Sequence, residues 1–162
     1  MIRAITSFGF VGLMPVAPGT FGSLAAIPMA YLLHGIGGFP LLLLATAAAF
    51  PLGIWATARL TKGGDPDPSE VVIDEVVGQW IALWPLSAGL WMAQADPWVF
   101  PWPGWVGAFV IFRLFDIWKP GPVGWADRKH SPFGVMLDDV IAGVLAAVVV
   151  TLAAALAHGW LM

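Results

Sequence analysis

Long uncharged stretches alternate with short polar segments along this chain. No Asp, Glu, Lys or Arg occurs in four runs, residues 4–58, 76–95, 97–112 and 140–162. Crossing about 30 Å of hydrocarbon takes roughly 20 helical residues, so the first run can hold two helices and the third must borrow residues toward Trp118. The pattern predicts an all-α fold, a polytopic membrane bundle of about five helices: 21–34, 39–60, 68–93, 103–119 and 133–159.

Composition changes this picture little and excludes several classes of protein. Of 162 residues, 59% are hydrophobic and 10% are charged, which is far from the balance of a soluble domain. We therefore expect residues 1–162 to form a single integral-membrane domain. The chain has no cysteine, which excludes disulfides, thiolate metal sites and cysteine nucleophiles. No basic surface typical of nucleic-acid binding is present, and the oligomeric state stays open.

The positions of the basic residues predict how the chain is oriented in the membrane. They are Arg3, Arg59, Lys62, Arg113, Lys119, Arg128 and Lys129. Five crossings with a cytoplasmic N-terminus place all of them on the cytoplasmic side, as the positive-inside rule requires. Most charged residues fall in two clusters, at 59–75 and 113–139. One outward and one return crossing separate the clusters, so we expect them to meet on the same membrane face.

The segment "TKGGDPDPSE" (61–70) is typical of a polar loop that ends in a helix start signal. Asp67 is predicted as the N-cap, Pro68 as the first helical residue and Glu70 as the capping partner. Glu70 also precedes Asp74 by one helical turn on the same face. A second interpretation therefore makes Glu70 a metal ligand.

Asp74 and Glu75 interrupt the otherwise apolar run "VVIDEVVGQW" (71–80). Ionisable residues inside membrane spans are costly and usually functional, and a bound cation would relieve the repulsion between neighbouring carboxylates. The alternative is that both side chains sit among lipid headgroups. Gln79, one turn beyond Glu75, could orient a water or make an interhelical hydrogen bond.

In "FRLFDIWKP" (112–120), Arg113, Asp116 and Lys119 recur every three residues and can line one side of a helix. The alternative is a pair of snorkelling basic side chains with a local ion pair between Asp116 and Lys119.

In "SPFGVMLDDVIAG" (131–143), Asp138 and Asp139 follow a helix start by about two turns. Adjacent carboxylates point about 100° apart on a helix, so we expect one of them to face a site, with a slight preference for Asp138. Carboxylates from several helices, with no cluster of histidine or cysteine, favour an all-oxygen site suited to Mg²⁺.

The segment "PVAPGTFGSLA" (15–25) contains a Pro-Gly turn that leads into a helix. A helix N-terminus offers N–H groups and a positive dipole to an anion, and the Thr20 and Ser23 hydroxyls beside Gly22 could add donors for a phosphate. The alternative is an ordinary helix start without a ligand.

Four ordered segments, "PVAPGTFGSLA", "DPSEVVIDEVVGQW", "FRLFDIWKPGP" and "GVMLDDVIAG", resemble the motifs of bacterial phosphatidylglycerophosphatase A. The resemblance implies a small multi-pass enzyme of the bacterial inner membrane. It implies Mg²⁺-dependent hydrolysis of a phospholipid, phosphatidylglycerophosphate, to phosphatidylglycerol and phosphate at the cytoplasmic face. The acidic and basic motif positions of the family correspond to Asp74, Glu75, Asp116, Lys119, Asp138 and Asp139.

Each candidate residue has an expected role. The expected metal ligands are Glu70, Asp74, Glu75 and Asp138. The expected catalytic residues are Glu75 as preferred base, Asp116, Lys119 and Asp139. The expected phosphate-binding residues are Thr20, Gly22, Ser23, Arg113 and Lys119. Whether a carboxylate attacks phosphorus directly or activates a water stays open.

A cation- or proton-coupled transporter is the alternative function, because such proteins also carry carboxylates among their helices. Its charged path should continue to the far side of the membrane. Here the outer halves of the predicted helices carry few ionisable residues, which favours an enzyme at one surface. A purely structural subunit should show an excess of basic residues near the lipid, and the acidic residues outnumber the basic ones.

Overall fold

The computed structural model describes residues 1–62, 64, 65 and 68–159, and every regular element within them is helical. A 3₁₀ turn at Val11–Leu13 accompanies the α-helices α1 (Ile2–Thr6), α2 (Pro18–Leu60), α3 (Ile73–Met92), α4 (Trp102–Trp118), α5 (Pro122–Asp127) and α6 (Pro132–Gly159). The predicted all-α fold is confirmed. The helices α1 and α5 were not predicted, because five or six residues are too few to show an apolar period.

The two predicted helices 21–34 and 39–60 are the two arms of α2. The helical backbone breaks between them at Gly37 and Gly38, and Gly38 has a left-handed φ of 62°. A side chain on Gly38 would overlap the ring of Trp91, so this break needs glycine both for its conformation and for its packing.

The central helix α3 lies beside both arms of α2. The Trp80 indole donates to the carbonyl oxygen of Ala26 in the first arm at 2.9 Å, and the Trp84 indole donates to the hydroxyl of Thr46 in the second at 3.3 Å. Both indole nitrogens are thereby satisfied inside an apolar environment. These contacts show that the arms form a hairpin along α3.

The predicted start of α3 at residue 68 is wrong, since the helix begins at Ile73. The N-terminal segment holds the preceding residues in a non-helical conformation: the Val72 N–H donates to the carbonyl oxygen of Thr6 at 2.8 Å. Pro68 therefore lies five residues before the helix, and the predicted N-cap Asp67 lies outside the described residues. As a result, Asp74 and Glu75 occupy the first turn of α3.

Helices α3 and α6 cross at Gly78 and Gly143. A Cβ on Gly143 would overlap the carbonyl oxygen of Gly78, and a Cβ on Gly78 would come within 2.6 Å of the carbonyl oxygen of Asp139. Glycine at both positions lets the two backbones touch, as small residues do at helix interfaces in membranes. The buried side chain of Phe112 on α4 closes the same crossing.

Within the described residues, two helices are long and apolar enough to cross a membrane, Pro18–Leu60 and Pro132–Ala157. Only 22% of the apolar window of each helix is buried inside the protein, so neither is the enclosed core helix of a soluble fold. Large apolar side chains such as Leu44 and Leu152 point outward from them. This outer surface suits a hydrocarbon environment.

The α3–α6 crossing predicts that Gly143→Ala lowers the free energy of unfolding by about 1–3 kcal/mol, because a methyl group there meets backbone that has no room to move. Gly107→Ala in α4 is the matched control, because a Cβ at Gly107 has no neighbour within 4 Å. Thermal unfolding of the detergent-purified variants measures the difference. Equal midpoints for the two variants would contradict a backbone contact at this crossing.

Candidate active site

Three carboxylates meet where α3 crosses α6. Asp74, Glu75 and Asp139 each offer an oxygen, and these oxygens all lie within 4.8 Å of one another. Asp74 and Asp139 are 8% and 3% exposed, so water screens their charges poorly. Glu75 is partly buried, and its Oε2 is a buried oxygen with no hydrogen-bond partner among the described residues.

The helix crossing explains why these carboxylates are close together. Asp74 is one turn before Gly78 on α3, and Asp139 is one turn before Gly143 on α6. Side chains one turn apart share a helix face, so the contact between the glycines carries both aspartates to one place. The first turn of α3 also favours negative charge through the helix dipole.

The start of α2 touches this carboxylate cluster through Gly19. A Cβ on Gly19 would overlap Oε1 of Glu75 and would lie 3.3 Å from a guanidinium nitrogen of Arg113. Ala17, the N-cap, adopts a left-handed conformation with a φ of 47° that turns the chain into Pro18. Here a helix N-terminus, which attracts anions, lies beside Glu75 and Arg113.

Three other residues near this helix start are predicted to bind phosphate, and each lies in a different environment. Thr20 is partly exposed in the first turn. Gly22 packs against Val72, where a Cβ would lie 2.8 Å from the Val72 Cβ. The buried Ser23 hydroxyl donates to the carbonyl oxygen of Gly19 at 2.9 Å and is thus already engaged. Gly19, which the sequence argument did not single out, makes the closest approach.

Arg113 and Asp116 reach the cluster from the last turns of α4. A guanidinium nitrogen of Arg113 lies 2.5 Å from Oδ2 of Asp116, and the two side chains are 15% and 13% exposed. Asp116 is also close enough to Asp139 for the carboxylates to interact, and Arg113 acts electrostatically on Glu75. The alternative of an ion pair between Asp116 and Lys119 is not observed.

Lys119 joins a second group of charges beside the first. Its ammonium lies 2.9 Å from Oδ2 of Asp138 and also pairs with Asp127. Burial lowers the pKa of Lys119, but the two carboxylates raise it more, so the net shift is above the ordinary value. Lys119 is therefore a permanent positive charge here. Asp127 lies on α5, a helix that the sequence does not predict, and no sequence pattern indicates its contact with Lys119.

Two of the predicted metal ligands, Glu70 and Asp138, lie outside the carboxylate cluster. Glu70 accepts hydrogen bonds from Arg3 at 2.5 and 2.8 Å and lies outside the carboxylate cluster. Of the adjacent aspartates on α6, Asp139 joins the cluster and Asp138 pairs with Lys119, although the sequence argument slightly preferred Asp138 as a ligand. Helical geometry predicts that the two diverge, and only the packing of α6 decides which one faces α3.

Electrostatics favour a cation in the cluster. Arg113 pairs with Asp116 and acts on Glu75, and this single guanidinium cannot neutralise Asp116 together with the three carboxylates of Asp74, Glu75 and Asp139. Buried like charges at these distances repel strongly unless they are protonated or bind a cation. Carboxylate oxygens without histidine or cysteine are the ligands that Mg²⁺ prefers, and the buried free Oε2 of Glu75 adds acceptor capacity, so these residues fit Mg²⁺.

Comparison with known proteins agrees with the motifs. A family model described as phosphatidylglycerophosphatase A matches residues 4–154. Phosphatidylglycerophosphatase A of Escherichia coli K12 is 40% identical over 139 residues, which cover 84% of this chain and 73% of that protein. The protein of the same name from Haemophilus influenzae is 37% identical over 141 residues, covering 86% and 80%. The predicted resemblance is confirmed.

Another relative has a different printed name. A protein of Bacteroides thetaiotaomicron, provisionally named a phosphatidylinositol-3-phosphatase, is 40% identical over 154 residues, covering 91% of this chain and 89% of that protein. No solved structure matches the chain.

Proposed function

The chain belongs to the phosphatidylglycerophosphatase A family, and on that basis we propose that it hydrolyses phosphatidylglycerophosphate to phosphatidylglycerol and inorganic phosphate. One observation carries the proposal: the oxygens of Asp74, Glu75 and Asp139 lie within 4.8 Å of one another, beside the α2 N-terminus and Arg113. A cation site next to anion-binding groups is what phosphoryl transfer requires.

Asp74, Glu75 and Asp139 would hold Mg²⁺. The bound ion would neutralise charge on the phosphoryl oxygens and make a nearby water more acidic. This set differs from the expectation based on the sequence, because Glu70 pairs with Arg3 and Asp138 pairs with Lys119. Asp116 would act by fixing Arg113, to which it is paired.

The cationic groups would receive the lipid phosphate. Arg113 carries a buried Nε–H that has no partner among the described residues, so it retains donor capacity for a phosphate oxygen. The backbone N–H of Gly19 would bind a second oxygen, with Thr20 at the rim, since the N–H groups of Thr20 and Phe21 donate to the carbonyl oxygen of Ala17. Lys119 would stabilise negative charge as a fixed ammonium and would not act as an acid, because its pKa is raised.

Glu75 is our candidate for the general base. In the proposed step, the oxygen of a water forms a bond to phosphorus while the Glu75 carboxylate takes its proton. The bond between phosphorus and the glycerol oxygen breaks, and that oxygen takes a proton from solvent. Oε2 of Glu75 has no hydrogen-bond partner among the described residues, so it has the capacity to accept a proton from a water.

We test the function with Asp74→Asn, because the amide keeps the shape of the carboxylate and removes its charge. Detergent-purified protein should release phosphate from phosphatidylglycerophosphate only with Mg²⁺, and Asp74→Asn should lower kcat by at least about 100-fold. The matched control is Asp96→Asn in the loop at the opposite end of α3, whose activity should be unchanged.

Phosphate release that is independent of both Mg²⁺ and Asp74 would contradict the proposed site. Phosphatidylinositol 3-phosphate is the second substrate to assay, because one relative is named for that lipid. Preferential turnover of the inositol lipid would keep the site and overturn the proposed substrate. Cation transport, the alternative function, finds no support in the comparisons.

We also propose a topology of five crossings, with the N-terminus and the active site at the cytoplasmic face of the bacterial inner membrane. The crossings are the two arms of α2, then α3, α4 and α6. The support is the positive-inside rule, since all seven basic residues then fall on one side. A phosphate at the headgroup of a cytoplasmic-leaflet lipid would lie at the depth of Asp74.

The topology is tested with single cysteines, which the native chain lacks. In intact cells, a membrane-impermeant maleimide should label Asp96→Cys, whereas Lys62→Cys should react only after lysis. Labelling of both positions in each preparation of lysed cells is the control. Labelling of Lys62→Cys in intact cells, with protection of Asp96→Cys, would show the opposite orientation.

A further inference from the structure

A buried amide lies just below the carboxylate cluster. Gln79 on α3 has no exposed surface, and neither its Oε1 nor its Nε2 has a hydrogen-bond partner among the described residues. Buried side-chain amides almost always find partners, in the protein or in ordered water. The interhelical hydrogen bond that the sequence left open is absent from the described residues, so water is the partner to consider.

The position of Gln79 points to Glu75. The two residues are four apart on α3, so their side chains lie on the same face about 5–6 Å apart at Cβ. Oε2 of Glu75 is also buried and also lacks a partner. Two neighbouring orphan groups of this kind are what one bridging water would satisfy, since a buried water needs at least two polar partners.

The described side chains next to Gln79 on α3, apart from Glu75, offer its amide no hydrogen bond. Its neighbours on α3 include the buried Val76 and Leu83, and the indole nitrogen of Trp80 is already bonded to Ala26. A glutamine in such a site would be costly if it only filled space, because leucine or methionine would fill the same volume without an unsatisfied amide. The amide is therefore better explained by a polar partner at the cluster.

We propose that Gln79 is a positioning residue that holds one buried water against Oε2 of Glu75. The water fixes the Glu75 carboxylate beside Gly19 and toward Asp74 and Asp139. An oxygen of a carboxylate can accept more than one hydrogen bond, so Glu75 keeps acceptor capacity for a reacting water. The inference rests on the proposed function, because its consequence for turnover acts through Glu75.

The test compares Gln79→Met with the unaltered protein, because methionine keeps the length of glutamine and removes its polar atoms. Groups that orient metal ligands typically contribute about 10–100-fold, so kcat should fall by at least about 10-fold with KM changed by less than about 2-fold. The Mg²⁺ concentration for half-maximal activity should rise several-fold. The matched control is Gln94→Met, in the loop after α3, which should alter none of these values.

A second readout does not require activity. Mg²⁺ should raise the thermal unfolding midpoint of the unaltered protein and should raise that of Gln79→Met by less at the same concentration. Without Mg²⁺, the unfolding midpoint of the variant should differ little from that of the unaltered protein, because methionine fills the volume of glutamine and only the hydrogen bond between the amide and the water is lost. A purely structural glutamine would instead lower the midpoint in the absence of metal and leave the response to Mg²⁺ unchanged.

If Gln79→Met does not fold, Gln79→Asn replaces it in the test. Asparagine keeps the amide, but its side chain is shorter by one methylene, so the amide lies farther from Glu75. Gln79→Asn should also raise the half-activating Mg²⁺ concentration while KM is unchanged. Unaltered kcat and an unaltered Mg²⁺ response in either folded variant would overturn the inference. If the unaltered protein releases no phosphate, the proposed function fails, and the Mg²⁺-dependent unfolding midpoint still decides whether Gln79 supports the cation site.

Discussion

Carboxylates that share a small buried volume repel one another, and the architecture around α3 and α6 must hold them there. At 4.8 Å and an effective dielectric constant of about 20, each ionised pair repels by about 3 kcal/mol. The contact between Gly78 and Gly143 and the apolar packing of α3 impose this geometry. A divalent cation would turn the repulsion into attraction, so the packing that holds the carboxylates together would prepare them to bind one.

The site combines charges that would oppose one another without a cation. A lipid phosphate is negative and would be repelled by Asp74, Glu75 and Asp139, whereas Arg113 and the start of α2 would attract it. Gly19 brings the start of α2, where we propose that the phosphate binds, into contact with Glu75, so the two halves of the proposed site touch. Because the half that attracts phosphate touches the half that would hold a cation, binding of the cation should strengthen binding of the lipid.

Local patterns predicted much of this arrangement, and contacts distant in sequence decided the rest. Uncharged runs predicted the long helices, but the start of α3 was misplaced because the N-terminal segment captures Val72 through Thr6. The acidic motifs supplied every member of the carboxylate cluster. They could not tell Asp139 from Asp138, because that choice depends on how α6 rotates against Gly78. The contact of Asp127 with Lys119 depends on a short helix that has no sequence signature.

A cation site at the α3–α6 crossing is tested most directly by Mn²⁺ binding to the detergent-purified protein, measured by electron paramagnetic resonance, since Mn²⁺ prefers the same oxygen ligands as Mg²⁺. We expect bound Mn²⁺ that Mg²⁺ displaces, with an affinity for Mn²⁺ that is at least about 10-fold lower in Asp139→Asn. The folded state of that variant is checked by its thermal unfolding. Absence of Mn²⁺ binding to the folded protein, or equal binding by Asp139→Asn, would contradict a cation site at the α3–α6 crossing.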